Sequence, residues 1–206
     1  MNFPTRCYES MGSFYDEYAE CCSRAQASVD RSLLGRAAEL LQAAISRDSS
    51  ILACGNGGSA AISNHLACDH AKGISADTGL RPLVRSLVST IELITAVAND
   101  ISYADVFGYQ VKMFGRAGDV LITISSSGDS ENIVRALHAA KEVGLSTIAL
   151  TGFSGGRSAR LADINLHVAA ENYGVVEDVH QSIMHGLAQY IRHVHMPQAL
   201  IGERRF

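Results

Sequence analysis

The stretch ACGNGGSAAISNHLACDHAKG, residues 53–73, joins two kinds of chemistry. Gly55, Gly57 and Gly58 allow a tight turn and close backbone approach, and a helix starting there offers unpaired N–H groups to an anion. That helix then carries His65 and Asp69 four residues apart on one face, the spacing of a metal half-site or an acid–base pair. His70 points about 100° away from Asp69 on a regular helix and is expected in solvent or at a subunit contact.

A second loop, ISSSGDSEN, crowds Ser125, Ser126, Ser127 and Ser130 around Gly128. Each hydroxyl can donate to a phosphate oxygen, and Ser130 can begin a helix. No lysine or arginine lies in this loop, which suits a sugar monophosphate better than a triphosphate. A third group lies near the C-terminus, in VVEDVHQSIMHGLAQ. Glu177, Gln181 and His185 recur at i, i+4 and i+8 on one helical stripe, with His180 to one side. Where that stripe faces His65 and Asp69, two imidazoles and two carboxylates converge, a set that suits zinc or another divalent ion.

These groups need a scaffold, and the hydrophobic pattern gives one. Short apolar runs at Ile51–Cys54, Leu83–Leu87, Val120–Ser125, Ser146–Thr151 and Ile164–Val168 read as strands. Helical patterns lie between them, at Ser59–Lys72, Thr90–Asn99, Ala104–Arg116, Ser130–Val143 and Gly156–Leu161. A long helix follows at Val175–His195, and two helices precede the first strand between Phe14 and Arg47. Buried strands alternating with helices predict an α/β parallel sheet covered on both faces, with ligands beyond the carboxyl ends of the strands. Both unusual loops follow strands. Either loop alone also fits an ordinary tight turn or helix cap; the two together in one small domain point to anion binding.

Several classes are disfavoured. Gly55-x-Gly57-x-x-Ala60 fits a relaxed dinucleotide fingerprint, but no acid ends the second strand, where a ribose would need one. With 17 Lys and Arg against 21 Asp and Glu, the net charge is −4 and no basic stripe stands out, so nucleic-acid binding is not expected. No apolar run reaches the ~18–20 residues that span a bilayer. The first twenty residues lack a signal peptide's apolar centre, and a cytoplasmic protein is expected. The five cysteines form no CxxC pair and read as reduced, space-filling thiols.

Taken together, GNGGSA, NHLACDH, AVANDISYADVF, GDVLITISSSGDSENIV, TIALTGFSGG and the histidine-bearing last helix resemble the sugar isomerase (SIS) domain family, and within it the phosphoheptose isomerases. The resemblance covers nearly the whole chain. It implies a three-layer α/β/α sandwich with a five-stranded parallel sheet, a single domain over residues 1–206, with residues 1–48 as a helical arm for oligomer contacts. It implies a homotetramer with sites shared between subunits, and conversion of sedoheptulose 7-phosphate to D-glycero-D-manno-heptose 7-phosphate, a heptose precursor of surface polysaccharide. The sugar phosphate would be held by Asn56, Gly57, Gly58 and Ser59, by Asn99 and Asp100, by Ser125, Ser126, Ser127 and Ser130, and by Glu177. Zinc would be held by His65, Asp69, Glu177 and His185, with Asp69, His185 and Glu177 as the catalytic set.

Two positions depart from the family's pattern: Asp69 stands where Glu is usual, and Glu177 where Gln is usual. Ketose–aldose isomerisation through an enediol needs a base over carbon, an acid for the oxygens and stabilisation of the enediolate. The reading of the two departures is a paired exchange, Glu177 taking part of the base role while Asp69 stays a ligand. A second reading is a non-enzymatic SIS regulator that binds a protein partner, such as a replication initiator; a third is an isomerase of another phosphosugar.

Overall fold

The computed structural model describes residues 2–206. Five parallel strands form one sheet: β1 Ser50–Gly55, β2 Leu83–Ser86, β3 Val120–Ser125, β4 Ser146–Thr151 and β5 Ile164–His167. Their spatial order is β2-β1-β3-β4-β5. The expected three-layer α/β/α sandwich is therefore present. The helices are α1 Met11–Ala27, α2 Arg31–Ser46, α3 Gly58–Cys68, α4 Ile91–Asp100, α5 Val106–Phe114, α6 Glu131–Val143, α7 Ser158–Leu161 and α8 Tyr173–His195.

The alternation of strand side chains builds two cores. Ile51, Ala53, Val120, Ile122, Ile124, Ile148 and Leu150 face one layer, with buried residues of α1, α2, α3 and α8. Leu52, Cys54 and Leu121 face the other, against Phe107 and Val111 of α5 and Ile133, Ala136 and Ala140 of α6. Strands covered on both sides need apolar residues at every position, and β3 is buried along its whole length.

The first two helices, expected as the helical arm, pack one side into this core. Cys21 and Ala25 of α1 and Ala37 and Leu41 of α2 are buried in the first layer. Tyr18 donates to Asp178 of α8 at 2.6 Å, and Gln26 donates to Ser182 of α8 at 2.6 Å. Side-chain caps fix the helix starts: Asp30 accepts from the amides of Ser32 and Leu33 before α2, and Asn172 accepts from Val175 at the start of α8.

The strand order reverses at β1, whose chain successor β2 lies on one side while β3 lies on the other. Loops leaving β1 and β3 therefore diverge and open a crevice between them, the place where open α/β sheets bind ligands. The glycine loop leaves β1 and the serine loop leaves β3.

Candidate active site

The glycine loop turns from β1 into α3 with Gly57 as N-cap residue. The first amides of α3 have no partner within the helix, as at any helix start, and are available to an anion. Asn56 and Asn132 tie this loop to the serine loop. Asn56 Nδ2 donates to Asn132 Oδ1, and Asn132 Nδ2 donates to Asn56 Oδ1, each at 2.9 Å. Tyr103 adds a third bond, its hydroxyl donating to Asn56 Oδ1 at 2.9 Å. Three segments distant in sequence thus meet on one amide.

In the serine loop, Ser125 and Ser126 are buried, Ser127 is half-buried and Ser130 is the N-cap residue of α6. Ser125 Oγ accepts from the amide of Gly128, and Ser127 Oγ accepts from that of Asp129. The Ser126 hydroxyl has no hydrogen-bond partner among the described residues. A buried hydroxyl without a partner costs free energy, and an anion in the crevice is one way to satisfy it. Gly128 has a φ of +64° and lies so close to Gly155 that a Cβ there would overlap its carbonyl. Arg157 braces the same loop from outside, through Asp129 at 2.6 Å and Glu131 at 2.8 Å. Those bonds hold the carboxyls of Asp129 and Glu131 below the usual range.

Three of the four expected metal ligands come together. His65, Asp69 and His185 place one donor atom each within 4.8 Å of one another. Asp69 Oδ1 lies 3.3 Å from His65 Nε2, and its Oδ2 lies 3.4 Å from His185 Nε2. The rings of His65 and His185 meet edge to face, their centroids 4.9 Å apart. Two imidazoles and a carboxylate are a donor set that zinc accepts, so the residues present fit such an ion. All three side chains are partly exposed, which leaves the set open to a ligand.

Glu177 falls outside that group. It sits one end of the stripe away, with its carboxylate against Gly58, where a Cβ would overlap it. Eight residues of helix separate Glu177 from His185, about 12 Å along the axis. The stripe therefore spans the site: Glu177 meets the glycine loop and His185 meets His65. Burial, reinforced by the neighbouring charge of Asp178, raises the Glu177 carboxyl above its usual range.

Asn99 and Asp100 lie at the exposed end of α4, where Asn99 Nδ2 donates to Asp100 Oδ1 at 2.8 Å. The chain runs from them to Tyr103, which reaches Asn56. His70 is a correction. It is fully buried, not in solvent. The helix widens into a π turn over Asp69–Gly73, and that change of pitch turns the ring inward. His180 is also fully buried.

Sequence reasoning gave no role to Asn132, Tyr103 or Gln181. Asn132 had a signal, a polar residue in the first turn of α6 just after the serine loop. Gln181 had one too, as the middle of the Glu177–His185 stripe. It bonds both histidines, with its Nε2 3.0 Å from His65 Nδ1 and 2.9 Å from His185 Nε2. Tyr103 carried no local signal.

The two anion-suited loops and four of the five strands lie within residues 13–152, the stretch that the SIS domain matches. Relatives narrow this further. The phosphoheptose isomerase of Desulfovibrio desulfuricans is 38% identical over 157 residues, 76% of this chain and 74% of that one. The phosphoheptose isomerase of Nitratidesulfovibrio vulgaris is 42% identical over 143 residues, 69% of this chain and 68% of that one. The solved phosphoheptose isomerase of Neisseria gonorrhoeae superposes with a TM-score of 0.79 at 34% identity, covering 87% of this chain and 95% of that one. The chain belongs to the SIS domain family, in its phosphoheptose isomerase branch.

Proposed function

We propose that the protein is a phosphoheptose isomerase that converts sedoheptulose 7-phosphate to D-glycero-D-manno-heptose 7-phosphate. One observation carries the reading: α8 joins the anion crevice to the donor set. Its Glu177 packs on Gly58 of the glycine loop. Two turns later its His185 lies beside Asp69. A linear sugar held by its phosphate at one end would present its carbonyl end to these groups.

The residues divide the work. Ser125, Ser126, Ser127 and Ser130 would anchor the phosphate through neutral donors and a helix start, and Asn56, Gly57, Gly58 and Ser59 would hold the sugar chain between the phosphate and the donor set. Asn99 and Asp100 would bound the sugar from the end of α4. His65, Asp69 and His185 would hold a divalent ion, zinc by their chemistry, which when bound stabilises negative charge on the substrate oxygens. Glu177 would take the proton from C1 and return it to C2, and the burial that raises its pKa makes its carboxylate a stronger base. His185 would exchange a proton with the sugar oxygens.

Two imidazoles beside a carboxylate support an enzyme over a regulator that has kept only the fold. The product's chemistry places the enzyme early in heptose and surface-polysaccharide precursor synthesis. A cytoplasmic location suits a phosphorylated substrate, and no helix among the described residues is long and apolar enough to cross a membrane. A homotetramer would cover the apolar groove that Leu34, Ala38, Ile183, Leu187 and Tyr190 line between α1, α2 and α8. The test is to incubate zinc-loaded protein with sedoheptulose 7-phosphate and follow the sugar by NMR. Appearance of the aldose supports the reading; an unchanged ketose, with protein shown to be folded and loaded, overturns it.

A further inference from the structure

Two carboxylates bracket the serine loop. Asp129 and Glu131 stand on either side of Ser130, the N-cap residue of α6. Their bonds to Arg157 hold both below the usual carboxylate range, so both are charged at neutral pH. Arg157 comes from the loop after β4, and all three of its guanidinium nitrogens are spent on this one segment. Nε donates to Asp129 Oδ1 at 2.6 Å, Nη1 to Glu131 Oε2 at 2.8 Å and Nη2 to the Asp129 carbonyl at 2.8 Å. The Arg157 amide adds a bond to Asp129 Oδ1 at 3.3 Å. We propose that Arg157 is a positioning residue for phosphate binding: it holds Asp129 and Glu131 off the serine loop, so that the loop's donors stay free for the sugar phosphate. The proposal rests on reading the serine loop as the phosphate site.

The need for such a residue comes from competition. A helix start favours a carboxylate as it favours any other anion. Both acids lie at the start of α6, beside the hydroxyls of Ser127 and Ser130. The buried Ser126 hydroxyl, which has no partner among the described residues, belongs to the same loop. A released carboxylate can accept from the same amides and hydroxyls as a phosphate oxygen. Its charge also repels a phosphate dianion held nearby. A guanidinium fork matches carboxylates and keeps them facing away.

The rest of the ion network adds to the argument. Arg135 donates to Glu131 Oε1 at 3.0 Å and to both oxygens of Asp105 at 2.9 Å. Three carboxylates against two guanidiniums leave one net negative charge beside the loop, and removing Arg157 leaves two. A competing account has Arg157 as a surface brace only, since exposed ion pairs add little to stability. In that account the acids matter as handles for the brace, and neutralising them weakens binding. In the account proposed, neutralising them replaces what Arg157 does. The two therefore differ in sign.

The experiment compares wild type, Arg157→Gln, the double variant Asp129→Asn/Glu131→Gln and the triple variant that combines all three changes. All are full chains, checked for folding by thermal unfolding. Inorganic phosphate is the probe, its Kd read by ³¹P NMR, with kcat and KM for sedoheptulose 7-phosphate measured beside it. Arg157→Gln is expected to weaken phosphate binding about tenfold, the effect of one uncompensated charge near a dianion. Its KM should rise to match while kcat stays within about twofold, the pattern of lost uniform binding. The triple variant should recover to within about threefold of wild type, because the changes are coupled through one network. The double variant should bind phosphate at least as tightly as wild type. A wild-type Kd in Arg157→Gln overturns the proposal, as does a triple variant that binds as weakly as Arg157→Gln. Weaker binding by the double variant overturns it too, and that variant decides the matter should Arg157→Gln fail to fold. Wild type that binds no phosphate overturns the phosphate reading of the serine loop, and the role of Arg157 with it. Wild type that binds phosphate without turning over the sugar overturns the proposed activity alone.

Discussion

The Glu177 carboxylate rests on the bare Cα of Gly58, so the proposed base and the anion loop hold each other in place. Any side chain at residue 58 must push the carboxylate away. Gly58→Ala is expected to lower kcat/KM on the order of 100-fold, the effect of moving a reacting group by about an ångström. The midpoint of thermal unfolding should change little, because residue 58 is exposed. Steady-state kinetics and calorimetry on the same preparation check both halves.

The reciprocal amide pair is expected to matter for both stability and binding. Asn132→Leu leaves Asn56 without two of its bonds and should cost about 1–3 kcal/mol of folding stability. It should also raise KM more than it lowers kcat, because the pair joins the two substrate-binding loops. Tyr103→Phe removes only one of the bonds to Asn56 and should show a smaller effect in the same direction. Urea unfolding and initial rates measure these changes.

Two buried histidines make the fold acid-sensitive. Burial lowers the pKa of both His70 and His180 from 6.5 to about 4. No ring nitrogen of either has a partner at full hydrogen-bonding geometry among the described residues. For His180, the Thr151 backbone gives only a small opposing pull. Each ring is neutral in the folded protein, whereas the unfolded chain binds a proton below about pH 6.5. The unfolded state therefore binds more protons as pH falls, so stability is full above about 6.5 and drains away down to about 4. Each ring contributes on the order of 3 kcal/mol across that window. Unfolding free energy measured from pH 7.5 to 4.5 should fall steeply. The fall should be shallower in His180→Phe, which has no proton to bind.

Removal of metal is expected to abolish turnover and spare the fold. His65, Asp69 and His185 lie partly exposed at the rim, away from both cores, so protein dialysed against a chelator should keep its far-ultraviolet circular dichroism. Added Zn²⁺ should restore the rate with one equivalent per chain. Asp69→Ala should need far more Zn²⁺ for the same restoration, because it removes the carboxylate that lies against both rings.

Much of this was legible in the sequence where local periodicity decides structure. The runs at 51–54 and 120–125 read as strands because every position is apolar or small, as β1 and β3 require between two helical layers. His65 and Asp69 shared a face because four residues make about one helical turn. What was not legible depends on depth and on distant partners. A stripe of i, i+4 and i+8 fixes a direction but not reach, so Glu177 and His185 were expected at one point although the helix separates them. The π turn that buries His70 has no periodic signature. The bond between Asn56 and Asn132 joins loops that only the strand order brings together.

The central claim is that Glu177 moves the proton between C1 and C2 of a phosphoketose. Its most direct test is isomerisation of sedoheptulose 7-phosphate in deuterium oxide, followed by proton NMR, with wild type and Glu177→Gln both loaded with zinc. Wild type should form the aldose, with any deuterium that enters the product sugar found at C2. Glu177→Gln should bind the sugar phosphate but turn over at least ~100-fold more slowly, the range over which acid–base groups contribute. An unchanged rate in Glu177→Gln would contradict the account.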